Sequence, residues 1–479
     1  MIPMPLSRVA AITGGVQHGA DVLVDGAVVT DSRAAVPGSL YVARVGEALD
    51  GHRFVGPAAA AGAVAALTAR PVPELPCVVV PDVQAAFAAL ARAVIDASPD
   101  LTVIAITGSS GKTSTKDLLA VVLRDLGETV APEGSYNGEV GVPLTVCRVT
   151  PQTLYLVVEM GARGIGHIAY LCGIAPPRIA VVLNVGTAHV GEFGSREAIG
   201  RAKAELVEAL PPDGVAVLNA DDPVVSAMAE LMPVRSVQVG TAASADVRGS
   251  DVELDGAGRA AFTLHAAGGE APVRLAGYGE HHVANALAVA AVALEVGMPL
   301  GRVAQALTDA RPASRWRMEV TERPDGLTVV NDAYNANPDS MRAALKALAA
   351  MGHAGESDGA AGRRRTWAVL GEMLELGPES IAQHDAVGRL AVRLNISHLV
   401  AVGEGARPID SGARQEGSWG QESAWVVDTD AAYELLSEQL RGGDVVLFKS
   451  SRDAGLRWLG DRIAGAPEVP HAARMGTTR

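Results

Sequence analysis

A chain of 479 residues is long for a single core and suggests about three domains. Hydrophobic residues make up 48% and charged residues 20%, which excludes whole-chain disorder, and aromatics at 4% leave the cores to Val, Leu, Ala and Ile. The formal charge of −14 argues against a non-specific nucleic-acid binder, which needs a basic field to displace counterions from phosphates, yet leaves a local nucleotide site open.

Residues 1 to 86 carry short β-like runs, "DVLVDGAVV", "LYVAR" and "CVVVP", with an Ala-rich helical run near 57 to 69. This predicts a small α/β domain. The leading "MIPMPLSRVAAITGG" has no basic segment before an apolar core, so it does not resemble a signal peptide. Cys77, Cys147 and Cys172 are odd in number and lack CxxC spacing, which fits a reducing cytoplasm better than a disulfide framework or a zinc site.

From 87 to 312 buried strands, "TVIAIT", "LYLVVEM", "IAVVLNV" and "GVAVLNA", alternate with helical stretches such as 116 to 126 and 195 to 210. Alternation of this kind predicts a mostly parallel sheet covered on both faces. The segment 245 to 275 reads as a β excursion of that domain, and the apolar run 283 to 298, which contains Asn285 and Glu295, is short for a membrane span. From 313 to 479 the strands "LTVVN", "TWAVLG", "HLVAVG" and "DVVLFKS", each followed by a helix-like segment, predict a second, Rossmann-like sheet. The Gly-rich 352 to 365 reads as an exposed loop and the tail after 464 as frayed. The fold class is therefore α/β in three domains.

Between the strand 102 to 107 and the helix that follows lies "TGSSGKTS". The standard phosphate loop has a glycine five residues before its Gly-Lys, where Ile106 stands here, so the loop is shorter than that pattern. The strand-loop-helix context still suits phosphate, because small residues let N–H groups converge on oxygen at a helix N-terminus. Gly108, Ser109, Ser110, Gly111, Lys112, Thr113 and Ser114 supply it, with Lys112 for the β and γ phosphates and the Thr113 hydroxyl for Mg²⁺. The alternative is a Gly-rich turn with an exposed lysine.

Glu159 closes an otherwise apolar strand, which costs several kcal/mol without a compensating cation. His189 follows the next strand, and a loop histidine is as readily a solvated one. Of 40 cationic residues only Lys112, Lys116, Lys203, Lys346 and Lys449 are lysines. A lysine in this chain is thus a candidate for work that needs a compact charge or a neutral amine. For Lys203, on "SREAIGRAKAELVEAL", a solvated helix face is the competing reading.

The segments "TGSSGKTS", "EGSYNGEVGVPLT", "VVEMGA", "TAHVGEFGS", "RAKAEL", "NADDP", "GEHHVANALAVAAVA", "SRWRMEV", "NDAYNANPDSM" and "VLGEMLELG" resemble, in order, those of Mur ligases. The resemblance runs from "DSRAAVPGSLYVARVGEALDGHRF" to "LFKSSRDAGL", and the family's short TGxxGKT/S loop accounts for the missing glycine. Within the family the pattern is most similar to members that add D-alanyl-D-alanine to UDP-N-acetylmuramoyl-tripeptide (UDP-MurNAc-tripeptide). It implies a UDP-sugar domain, a central ATP domain and a C-terminal ligase domain. It also implies a cytoplasmic monomer without membrane span or nucleic-acid partner.

The same resemblance implies roles for single residues. Lys112 and Thr113 match the ATP phosphate and Mg²⁺ positions, and Glu159 and His189 match positions for magnesium, of which two ions are expected. Lys203 matches a lysine carbamylated in related ligases, Asn285 an adenine contact, and Asp332 and Asn335 the ribose side, with Tyr334 packing nearby. Arg317 matches the arginine at the γ phosphate, with Arg315 the competing choice. Ser32 and Arg33 match UDP-sugar contacts, and Asn137 is a substrate-site candidate, although the family usually pairs two asparagines where this chain has Asn137-Gly138. Lys449, Ser451 and Arg452 face the dipeptide or form an anchoring salt bridge. Asn337 and Pro338 read as the cap and first position of a helix.

Competing functions are another amide ligase of the superfamily, diamino-acid-adding or folylpolyglutamate-forming, and a nucleotide switch without ligase chemistry. The diamino-acid-adding members carry a "DNPR"-type signature that is absent here.

Overall fold

The computed structural model describes residues 1–46, 49–186, 193–311, 313–353, 363–417 and 420–465. His189, most of the Gly-rich 352 to 365 loop and the tail from 466 lie outside the described residues.

The first unit is a five-stranded sheet in the order Val16–His18, Cys77–Val79, Ala63–Thr68, Ser39–Val42, Val28–Val29, with a separate ribbon pairing Met4–Pro5 and Leu23–Val24. One expectation is corrected here. The Ala-rich run near 57 to 69 is helical only over Val55–Ala60, and Ala63–Thr68 is a buried strand between two parallel neighbours. Gly62, at φ 114°, breaks the helix, and the alanines fill a covered strand where helix propensity is overridden by packing.

The helix Val83–Asp96 is capped by Asp82, whose carboxylate accepts from the Gln84 and Ala85 amides. It packs on the N-terminal helix Leu6–Thr13 and on Gly141–Val146. The expected division at 86/87 therefore falls inside one helix. One continuous core explains this: Leu6, Phe87, Leu90, Val103, Leu156 and Ile168 pack in the same apolar cluster.

The central sheet has nine strands in the order Glu128–Val130, Thr153–Glu159, Thr102–Thr107, Ile179–Val182, Val215–Asn219, Arg235–Gly240, Val247–Leu254, Arg259–Ala266, Gly269–Tyr278. The first seven are parallel and the last two antiparallel, so the β excursion extends the sheet. Side chains alternate as a two-sided strand requires. Val103 and Ala105 face the core shared with the first unit, while Ile104 and Ile106 face the helices Lys112–Leu123 and His281–Glu295.

The C-terminal sheet runs Glu319–Glu322, Thr328–Asn331, Val445–Lys449, Thr366–Leu370, His398–Val402, Ser423–Val426, parallel except for its first strand. Apolar clusters cover both faces, as in a doubly wound fold. Among the described residues no helix is long and apolar enough to cross a membrane.

Candidate active site where two sheet edges meet

Parallel pairing brings the functional groups of the central sheet to one edge. Glu159 lies level with Ile106, and Val182 with Thr107, so the ends of both neighbouring strands flank the loop that follows Thr107. Open parallel sheets bind ligands at such carboxyl ends. Gly111 turns the loop into its helix with φ 81° and carries the Asn285 side chain against it: a Cβ there would stand 2.6 Å from Asn285 Oδ1. Gly111→Ala is therefore expected to lose about 1–3 kcal/mol of stability and most nucleotide affinity. Thermal unfolding with and without ATP measures both, and an unchanged ATP-induced shift would refute the second.

Asn184 fixes the loop's conformation. Its carbonyl accepts from the Ser109 amide at 3.1 Å and its side chain from the Ser110 amide at 2.9 Å, while Ser109 Oγ accepts from Gly186 N at 2.9 Å. Lys112 Nζ donates to the Gly108 carbonyl at 2.6 Å. Burial lowers the Lys112 pKa, Glu159 opposing and Arg317 adding to the effect.

Glu159 is fully buried. Its carboxylate accepts from Thr113 Oγ1 at 3.0 Å, Ser135 Oγ at 2.7 Å and Asn137 Nδ2 at 2.9 Å, so three neutral donors surround it. Thr113, Ser135 and Glu159 present only oxygens, which suits a hard cation such as Mg²⁺. Among the described residues no three His, Cys, Asp or Glu side chains cluster as metal ligands. Lys203, on the helix Arg196–Glu208, is 4% exposed, and its pKa is pushed down to about 7, first by burial and then by Lys112. The solvated-face reading of Lys203 does not hold.

The C-terminal unit closes the other side. Arg317 Nη2 lies 3.3 Å from Thr113 Oγ1, the guanidinium stacks 4.4 Å from the centre of the Tyr334 ring, and its buried Nε has no hydrogen-bond partner among the described residues. Arg315 instead pairs with Asp461 at 2.9 Å. Arg317 is thus the arginine at the loop. Trp316 and Met318 on either side of it have φ of 59° and 49°, conformations that cost about 1–3 kcal/mol each in a residue other than glycine. Asn337 Nδ2 reaches the Ser109 carbonyl at 3.5 Å, and Asp339 presses against Gly186, so the helix Pro338–His353 also touches the loop. Its capping is reciprocal, Ser340 N to Asn337 Oδ1 at 2.8 Å and Asn337 N to Ser340 Oγ at 3.0 Å.

A small cavity beside the first helical turn is lined by Ser114, Asp117, Leu118, Gly277, His282 and Arg317. Burial keeps His282 and the adjacent His281 neutral, with pKa values pushed down to about 3 and about 4.

Other candidates lie apart from the loop. Ser32 and Arg33 occupy the turn Ser32–Ala34 of the first unit, where Arg33 pairs with Asp31. Asp332 and Lys449 form a buried ion pair at 2.6 Å, the anchoring alternative for Lys449. Asn335 is exposed and uses its Oδ1 on the Ala336 amide. Ser451 Oγ accepts from the Leu374 amide at 2.9 Å, and the Arg452 guanidinium lies 5.7 Å from the Tyr334 ring centre.

Known proteins are similar to this chain in sequence and fold. Residues 106–293 match the Mur ligase middle domain and residues 316–452 the Mur ligase, glutamate ligase domain. A Mycobacterium tuberculosis protein, "UDP-N-acetylmuramoyl-tripeptide--D-alanyl-D-alanine ligase", is 51% identical over 97% of this chain and 98% of its own. The chain belongs to the Mur ligase family. An Escherichia coli relative of the same description is 35% identical over 95% of this Mur ligase and 97% of its own length. Among solved structures, MurF from Acinetobacter baumannii superposes with a TM-score of 0.85 at 31% identity, covering 97% of this chain and 99% of that one. The MurF ligase of Thermotoga maritima in complex with ADP gives 0.77 at 28% identity, over 92% and 97%. The three-domain Mur ligase fold is therefore that of this chain.

Three site residues escaped sequence reasoning. Ser135 and Asn184 sit in irregular loops where no periodicity marks a side chain that turns inward. His282 lies one residue after His281 at the start of the helix that carries Asn285, and only the cavity brings it to the site.

Proposed function

We propose that this Mur ligase joins D-alanyl-D-alanine to the terminal carboxylate of UDP-MurNAc-tripeptide, consuming ATP and releasing ADP and phosphate. The observation that carries the reading is the reach of Arg317 Nη2 to Thr113 Oγ1, 3.3 Å away and next to Lys112 at the end of the loop, with loop and arginine supplied by different units. A carboxylate is a poor acyl donor, so its oxygen attacks the γ phosphorus of ATP and ADP departs, leaving an acyl phosphate. The amine of the dipeptide then attacks the acyl carbon, loses a proton, and phosphate leaves from the tetrahedral intermediate.

Lys112 and Arg317 offset the charge on the transferring phosphoryl oxygens, and the loop amides from Gly108 to Ser114 hold the polyphosphate. Asn285, which lies against Gly111, and the cavity beside Ser114 are assigned to the adenine, and the Asp332–Asn335 loop is assigned to the ribose by resemblance. Thr113, Glu159 and a carbamylated Lys203 would hold Mg²⁺, with His189 assigned to a second ion by resemblance alone. Bound there, the metal neutralises phosphate charge. Ser32 and Arg33 take the UDP end and Asn137 the peptide beside Glu159. Cytoplasmic location and a monomeric state belong to the same reading.

Phosphate release by the purified chain, with ATP, Mg²⁺ and both substrates each omitted in turn, tests the function. Release must require every component and yield UDP-MurNAc-pentapeptide by mass spectrometry. Release without the dipeptide, or with a diamino acid in its place, would overturn the assignment.

Glu159→Gln keeps the size of the side chain and removes the charge. Activity is expected to fall about a hundred-fold with a raised Mg²⁺ requirement, while thermal stability holds or rises because a buried anion is gone. A magnesium titration of the variant reads this, and wild-type magnesium dependence would contradict the metal role.

A further inference from the structure

We propose that Lys449 and Asp332 are positioning residues that hold Arg317 at the phosphate loop through the main chain, and that Lys449 contacts neither substrate. The inference rests on the reading of Arg317 as the phosphate-facing arginine. Arg317 stands between two non-glycine residues in the left-handed region, Trp316 and Met318. Backbone of this kind relaxes unless its surroundings over-determine it.

The Trp316 side is fastened from several directions. Its amide donates to Glu319 Oε2 at 2.8 Å, its carbonyl accepts from Tyr334 N at 3.2 Å, and its indole donates to Asp461 at 3.1 Å. On the Met318 side the amide donates to Asp332 Oδ1 at 3.1 Å. The other oxygen of Asp332 is held by Lys449 Nζ at 2.6 Å, and the same ammonium donates to the Asn335 carbonyl at 3.1 Å and the Asp332 carbonyl at 3.4 Å.

An ammonium has three protons. All three are accounted for within the Asp332–Asn335 turn, and Lys449 is 2% exposed. No donor remains for a dipeptide carboxylate. Parallel pairing explains why the two groups meet: Asn331 lies level with Phe448 on adjacent strands, so Asp332 and Lys449 leave the sheet side by side. The chain from Lys449 through Asp332 and the Met318 amide thus ends one residue from Arg317. Removing the lysine leaves the carboxylate free to turn, and the Trp316–Met318 segment then loses its fastening on the Met318 side.

The test is a double-mutant comparison. Lys449→Met is expected to lower kcat about ten- to a hundred-fold, the range that displacement of a catalytic group produces, with the KM for D-alanyl-D-alanine within about two-fold of wild type. In an Arg317→Ala background the same substitution is expected to cost nothing further, because residues acting as one unit are not additive. Asp332→Asn keeps an acceptor for the Met318 amide but loses the charge that holds Lys449, and the same pattern is expected from it should Lys449→Met not fold. A raised dipeptide KM at unchanged kcat, or a full penalty in the Arg317→Ala background, would overturn the proposal. Full activity of Arg317→Ala alone would instead overturn the phosphate reading of Arg317.

Discussion

Lys112→Met is expected to slow substrate-dependent phosphate release about a thousand-fold, the scale for losing a preorganised group aimed at developing charge. Stability should not follow activity downwards. The Lys112 ammonium is disfavoured by burial and by Arg317, and the Glu159 carboxylate favours it, so a neutral side chain of similar length removes an electrostatic cost. The melting temperature without nucleotide is expected to equal or exceed that of wild type, and the rise on adding ATP is expected to vanish. A variant that keeps its ATP-dependent rise while losing turnover would move Lys112 from binding to the chemical step. One that keeps turnover would remove it from both.

Lys203 carries the second large effect. Its amine, with a pKa of about 7, is substantially neutral at physiological pH. In the function proposed above, the neutral amine would add CO₂ and release one proton, giving a carbamate, an oxygen ligand that a guanidinium cannot form. Lys203→Arg and Lys203→Met are each expected to lose more than about a hundred-fold in kcat, since both remove that ligand. In the wild type the neutral fraction rises from about a tenth at pH 6 to about nine-tenths at pH 8. Activity in CO₂-depleted buffer should therefore recover on adding bicarbonate, and a labelled carbamate carbon should appear by NMR. Full activity of Lys203→Arg would rule the carbamate out.

Much of the site was legible because it lies at the ends of strongly patterned strands. "TVIAIT" and "LYLVVE" announce buried parallel strands, and parallel register places Thr107 and Glu159 at one edge whatever the loops do. Lysine scarcity marked Lys112, Lys116, Lys203, Lys346 and Lys449 alike, and of these Lys112, Lys203 and Lys449 have depressed pKa values in enclosed surroundings. The meaning of that scarcity differed from case to case. Lys449 is engaged in an ion pair whose partner Asp332 follows a strand more than a hundred residues away, and nothing local in "LFKSSRD" records it.

The misread run near 57 to 69 failed for a related reason. Alanine favours helices when local terms decide, but Ala63–Thr68 lies buried between two strands, where pairing and burial outweigh propensity. The expected division at 86/87 falls within the helix Val83–Asp96, and the apolar cluster under Phe87 and Leu90 spans both units, a continuity that a composition shift does not register. Arg315 and Arg317 differ by two positions in sequence. Only the left-handed turns at Trp316 and Met318 decide which of them reaches Thr113.

The central claim is that the loop at Lys112 and the arginine at 317 transfer a phosphoryl group from ATP to a carboxylate. UDP-MurNAc-tripeptide whose terminal carboxylate carries heavy oxygen tests it most directly, with mass spectrometry of the phosphate released during ligation to D-alanyl-D-alanine. The account predicts one heavy oxygen passing into each phosphate, because the bridging oxygen of the acyl phosphate comes from the substrate and leaves with phosphorus. Phosphate free of label, with ligation proceeding, would contradict it.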